Sequence, residues 1–201
     1  NISQQSLFAP AEEFVHLQFD PQKQDVGLWT LQTFRNYMTS LMQRGMNRSL
    51  VLVEFDKLDY LRQLTSAYKS YALPALKAML TKWNDNDFSV EVVDKIAEYY
   101  ESYFISTEDS DAEKAKTKEI YELLNRTVQR YPRYERIGLL QNRLTKLTQP
   151  TVSVSGQNTY PLRGKKEMEI SYKNITELEI DIYQVNPTDL FIDRFAGNKN
   201  I

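Results

Sequence analysis

The chain contains no cysteine and a single histidine, His16. Without thiols it can have no disulfide, thiolate metal site, cysteine nucleophile or cysteine-linked lipid within its length. A metal site would have to rest mainly on carboxylates. A Ser-His-Asp catalyst would have to use His16, and no nucleophile motif lies near it. An excess of one charge is missing too: 25 basic residues balance 27 acidic ones, for a net charge of −2. That balance gives neither nucleic acid nor an anionic membrane an electrostatic reason to bind. No apolar run approaches the roughly 18 residues of a membrane span, so no membrane insertion is expected within these residues. The chain begins at Asn1 without a methionine or a signal-peptide apolar region. It therefore reads as a mature or excised segment, and the missing signal says little about location.

What is present is enough for a core. The 201 residues are 41 % apolar and 26 % charged, as in a globular protein of one large domain or one and a half ordinary ones. Residues 1–26 read as a mostly irregular lead-in, bracketed by Pro10 and Pro21, with a brief strand-like alternation in FVHLQF (residues 14–19). Helical spacing then takes over. Leu31, Phe34, Met38 and Leu41 fall on one helix face, and Gly45 supplies a left-handed stop. SLVLVEF (residues 49–55) reads as a buried extended stretch leading into a helix over about 56–64. A helix over about 71–83 carries Leu76, Met79, Leu80 and Trp83, with Pro74 in its first turn, where a missing N–H costs little.

After the turn WNDND (residues 83–87), Ser89 is positioned to cap a helix with the stripe Val93, Ile96, Ala97, Tyr100, Tyr103 and Phe104. Ser110 to Glu113 has capping-box spacing. The following helix carries Ile120, Leu123, Leu124, Thr127, Val128 and Tyr131. It ends at Tyr131-Pro132, because a residue before proline avoids the α region. A last helix is expected over about 134–148. Residues 28–148 thus predict five or six amphipathic helices with short connections, a loose array of antiparallel hairpins without a strict repeat.

At Pro150 the period changes from helical to alternating. TVSVS is one strand, and residues 156–164 are a loop rich in turn formers. EMEISY places Met168, Ile170 and Tyr172 on one face; ELEIDIYQV alternates Leu178, Ile180 and Ile182 with acids. One-sided alternation is the grammar of an antiparallel sheet or sandwich. About seven strands make an immunoglobulin-like sandwich, and this stretch supplies about three. The expected fold is α+β: a lead-in and helical-hairpin domain over 1–149, then the start of a β-sandwich over 150–201, incomplete without further sequence.

The junction also carries a family resemblance. Tyr131-Pro132, the Leu140/Leu144/Leu147 helix, Tyr160-Pro161-Leu162-Arg163-Gly164, Tyr172-Lys173-Asn174 and Ile182-Tyr183-Gln184-Val185 together resemble the entry into the macroglobulin domains of large bacterial alpha-2-macroglobulin-like proteins. Residues 49–64 resemble the helical part of the same proteins. The strong portion covers about a quarter of the chain. The resemblance implies a segment of a protease trap, an endopeptidase inhibitor of the periplasm or cell envelope that entraps attacking proteases after cleavage of a bait segment. It implies as partners the other domains of the parent chain and, through them, proteases. Many such proteins also use a Cys–Gln thioester, which cannot exist here without cysteine. No bait region is recognisable, so no active residue of the family carries over.

Individual residues give no stronger lead. His16, between Val15 and Leu17, reads as an ordinary partly exposed side chain. EDSDAE (residues 108–113) offers oxygens to calcium but lacks the glycine and distal glutamate of an EF-hand loop, and a helix cap already explains it. Tyr68/Tyr71 and Tyr99/Tyr100/Tyr103 could stack sugars or bases, yet aromatics at helix spacing are more often core; Trp29 and Trp83 are read likewise. Arg163, Lys165 and Lys166 make a basic turn too small for a nucleic-acid site. The sequons at Asn1, Asn47, Asn125 and Asn174 have no role if the bacterial resemblance holds. Glu12/Glu13, Asp56/Asp59 and Asp85/Asp87 are carboxylate pairs of the kind a glycosidase needs, but none lies in a catalytic setting. No catalytic, cofactor-binding or metal-ligating residue and no cofactor is assigned, and the chain is not expected to be an enzyme. The alternative to the trap segment is a stand-alone helical-repeat module that binds proteins or peptides in a groove lined by the tyrosines.

Overall fold

Eight helices followed by two strands make up the described residues of the computed structural model, which are 2–20, 25–105, 110–156, 167–181 and 183. The chain divides into two units, Asn1–Thr148 and Gln149–Ile201. The arrangement is α+β.

In the first unit, two four-residue helices, α1 (Gln4–Leu7) and α2 (Ala11–Phe14), precede six longer ones. These are α3 (Val26–Gln43), α4 (Asn47–Leu64), α5 (Tyr68–Trp83), α6 (Ser89–Tyr103), α7 (Asp111–Arg130) and α8 (Gly138–Thr148). Each long helix packs on the next, and α8 also returns to α6. The stripes expected from the sequence face inward: Leu31, Met38 and Leu41 of α3, Leu76 and Met79 of α5, Val93, Ile96 and Tyr100 of α6, and Ile120 and Leu124 of α7 are buried. Each such side chain contributes roughly 1.5–3 kcal/mol on leaving water. Ser110 Oγ accepts the Glu113 N–H at 3.3 Å, capping α7. Gly45 adopts φ +64°. There the Gly45 N–H reaches the Met42 carbonyl and the Met46 N–H reaches the Leu41 carbonyl, the paired bonds by which a left-handed residue closes a helix.

Several sequence expectations are corrected. Residues 49–55 are helical, the first half of α4. Leu50, Val51, Leu58 and Leu61 are buried there, and burial of a whole helix face outweighs the weak helix preference of β-branched residues. Pro74 lies inside α5 rather than in its first turn, since the helix begins at Tyr68. The hydrogen bond that proline forfeits is the one to Ser70, and Ser70 is exposed, where water can take the carbonyl. Ser89 does not cap α6: it is buried as the first helical residue. The N–H groups of Ser89, Val90 and Glu91 already bond to the carbonyls of Asn86, Asp87 and Phe88, so the tight turn before the helix satisfies the donors a cap would serve. The last helix starts at Gly138 rather than at Tyr134. FVHLQF is no strand: Phe14 ends α2, and Phe14 and Phe19 fold back to 6.1 Å between ring centroids.

The second unit contains β1 (Thr151–Gly156) and β2 (Met168–Lys173), paired antiparallel. Val152 faces Tyr172, Val154 faces Ile170, and Gly156 faces Met168. Opposed residues share a face, so Val152, Val154, Met168, Ile170 and Tyr172 form one apolar side, while Ser153, Ser155, Glu169 and Ser171 form the other. Asn174 turns the chain after β2 with φ 55°, a conformation asparagine tolerates. Residues 177–181, the start of the further strand expected over 177–185, pair with no described residue. Their alternation fixes which side chains share a face, but a strand exists only against a partner ladder. Leu178 and Ile180 are exposed. Of that segment, Ile182, Gln184 and Val185 lie outside the described residues, as does the loop over 157–166.

Candidate functional site

The sequence candidates do not converge. His16 is exposed in the turn after α2. Glu12 pairs with Lys82 of α5, Asp59 with Lys95 of α6, and Asp85 with Arg130 of α7. One carboxylate of each pair is thus spent on a separate tie between distant segments. Among the described residues no three histidine, aspartate or glutamate side chains gather as a metal site. Glu108 and Asp109 of the acidic stretch 108–113, and the basic turn at Arg163, Lys165 and Lys166, lie outside the described residues.

The tyrosines are core. Tyr68, Tyr99 and Tyr100 are buried. Tyr68 and Tyr99 stand 6.1 Å apart, Tyr99 and Tyr103 4.6 Å, and Phe8 and Tyr71 5.6 Å. The polar tips find internal partners: Tyr99 donates to the Lys69 carbonyl at 2.6 Å and Tyr100 to Glu119 at 2.6 Å. Lys77, Tyr100 and Lys116 all donate to the Glu119 carboxylate, and these bonds pull its pKa down to about 2. Trp83 is buried, and its Nε1–H has no hydrogen-bond partner among the described residues. Trp29 departs from the core expectation: it is 50 % exposed, beside Val26 and Tyr37 on the outer face of α3.

Two groups of charged residues with buried members, Glu91 in the first and Glu54 and Lys57 in the second, stand out that sequence reasoning missed. In the first, Glu91 of α6 accepts Tyr134 Oη at 2.9 Å and Arg136 at 2.8 Å. Glu135 pairs with Arg48 of α4, and Arg143 of α8 reaches both Asp94 and Glu101 of α6 at 2.6 Å. These contacts fix the turn before α8 against α4 and α6, and α8 itself against α6.

The second lies under the N-terminal segment. Glu54 and Lys57 of α4 are 3 % and 1 % exposed. Glu54 Oε1 accepts the Ala11 N–H at 2.9 Å, and Lys57 Nζ donates to the Ala9 carbonyl at 2.7 Å. Burial pushes the Glu54 carboxyl above its ordinary range and pulls the Lys57 amine down to about 8, each partly countered by the other's charge. Both residues sit amid the stripe of Leu50, Leu58 and Leu61. The signal was available: on a helix, positions 54 and 57 fall on the apolar side. Reading residues 49–55 as extended hid it.

The remaining surface with a possible use is the apolar side of β1 and β2. Val152 is 46 %, Val154 60 %, Met168 55 % and Tyr172 64 % exposed. Such a face can bury itself against another sheet but offers no reactive group. No protein-family model, no curated protein and no solved structure matches the chain.

Proposed function

We propose that the chain is a non-catalytic structural and interaction segment of a macroglobulin-like protease trap of the bacterial cell envelope. The helical unit would serve as a rigid mount and β1–β2 would begin the first sandwich domain. The observation that carries this reading is the one-sided sheet: Val152, Val154, Ile170 and Tyr172 align across the ladder with no described residue of their own unit covering them. A two-stranded ribbon is marginal alone, and an apolar inner face is what a second sheet packs against. The resemblance around Tyr131-Pro132, Tyr160-Pro161 and Tyr172-Lys173-Asn174 supports the same reading. In it the partners are other domains of the parent chain and, through them, proteases.

A second reading, a stand-alone helical-repeat module binding proteins or peptides, draws on the exposed Val26, Trp29 and Tyr37 of α3. The tyrosines of α5 and α6 do not favour it, because their rings are spent on each other.

Limited proteolysis with mass spectrometry tests the first reading. The present chain is compared with one extended by the natural sequence for about 100 residues, the size of a sandwich domain. Cleavage after Pro150 in the short chain, lost in the long one, is the expected result. Equal resistance in both would defeat the reading and favour the stand-alone module.

A further inference from the structure

The segment over residues 8–14 crosses α4 as a strap, and a small cavity lies where the two meet. Its apolar walls come from Phe8 and Pro10 of the strap and from Ala75 and Met79 of α5; Glu54 and Lys57 supply its polar side. The cavity measures about 10 Å³, at the lower end of the roughly 10–15 Å³ that one water requires.

The hydrogen-bond inventory of the two charged groups is incomplete in matching ways. An ammonium carries three donors. Lys57 directs one to the Ala9 carbonyl, and its Nζ stands 4.3 Å from the centroid of the Phe14 ring, whose face satisfies a second. Glu54 uses Oε1 for the Ala11 N–H, and Oε2 makes no hydrogen bond among the described residues. The two side chains form no direct ion pair among the described residues, although both line the same cavity. One N–H of Lys57 and one oxygen of Glu54, on two side chains that are almost fully buried, are therefore left without a described partner beside a pocket with room for about one water. Leaving such groups unmet costs more than holding a water, whose immobilisation costs at most about 2 kcal/mol.

We propose that this cavity is a single-water site, in which the water accepts the remaining N–H of Lys57 and donates to Oε2 of Glu54, closing a ring of bonds through Ala9 and Ala11. The strap is then held to α4 by a hydrated ion pair rather than by apolar contact alone.

A high-resolution crystal structure of the full chain tests this. Expected is a well-ordered solvent peak within about 3.2 Å of both Lys57 Nζ and Glu54 Oε2. In the Lys57→Met variant the peak should be lost, because the cavity then has no donor to hold it. Direct contact between Lys57 and Glu54 with no solvent between them would overturn the proposal, as would a peak that survives unchanged in Lys57→Met. Should that variant fail to fold, the wild-type density decides by itself.

Discussion

The ammonium of Lys57 lies 2.7 Å from the carbonyl oxygen of Ala9, 48 residues earlier in the chain. One turn back on α4, Glu54 holds the Ala11 N–H. Two side chains of one helix thus grip the strap's backbone on both sides of Pro10, a residue with no N–H of its own to be satisfied. Burying both charges is costly, and removing one partner of a buried pair typically costs about 3–5 kcal/mol because the other is stranded. Lys57→Met should therefore destabilise by about 3 kcal/mol in urea unfolding. Adding Glu54→Gln, which keeps an oxygen for Ala11, should recover at least about 1 kcal/mol, since residues in one network do not act additively. Purely additive losses would mean the two charges do not communicate.

The same lysine sets a pH dependence. Burial lowers its folded pKa to about 8 from an ordinary 10.5. Between those values the unfolded chain binds more protons than the folded one, so stability rises with pH. Below about pH 8 the cost of the buried charge is present in full. Tyr68 and Tyr134 work the other way. Burial raises both, to about 12, so the stability they add is complete below pH 10 and is lost as pH climbs toward 12. The urea midpoint should climb from pH 8 to about pH 10 and then fall. In Lys57→Met the climb should vanish and the fall remain. A wild-type midpoint that is flat or declining from pH 8 to 10 would contradict this assignment.

Arg143 is the tie between α8 and α6. Its guanidinium reaches Asp94 through Nε and Glu101 through Nη1, carboxylates two turns apart on one helix. It is largely buried, its side chain only 17 % exposed, so the pair is worth more than an ordinary surface bridge. Arg143→Met should cost about 1–3 kcal/mol. Arg143→Lys should recover less than half, because an ammonium cannot span two acceptors as a planar fork does. Hydrogen exchange should locate the loss, with α8 amides exchanging faster and α3 amides unchanged.

Much of this architecture is readable from spacing. The stripes at Leu31/Met38/Leu41, Val93/Ile96/Tyr100 and Ile120/Leu124 identify their helices, and Gly45 and Ser110 mark an end and a beginning. What spacing hides is context. Val51 and Val53 favour a strand until the rest of α4 is seen to need one face for the core. Pro74 suggests a helix start because nothing local reveals that Ser70 is open to water. Ser89 suggests a cap because spacing marks a turn at residues 83–87 without showing that the carbonyls of Asn86, Asp87 and Phe88 satisfy the donors a cap would serve. What holds the buried charges at Glu54, Lys57 and Glu91 was illegible for a related reason. Their partners are the backbone of residues 9 and 11 and the side chains of Tyr134 and Arg136, more than 40 positions away. In the β unit the alternation of residues 151–155 and 167–172 marks β1 and β2 as strands, whereas that of Leu178 and Ile180 names a face without naming a partner strand.

That last ambiguity can be turned into a measurement at Val154. In this chain the side chain is 60 % exposed, opposite Ile170. Val154→Asp should change the stability of the present chain by less than about 0.5 kcal/mol, as substitutions at exposed positions do. If the apolar side of the ladder is the inner face of a sandwich, the same substitution in the extended chain puts an unpaired carboxylate between two sheets. The loss there should be several-fold larger, about 2 kcal/mol or more. Ser153→Asp, one residue away on the polar side, should be tolerated in both. An equal, small effect of Val154→Asp in both chains would leave the apolar face uncovered in the longer protein and would count against the sandwich, while an equal, large effect would mean the face is already packed in the shorter one.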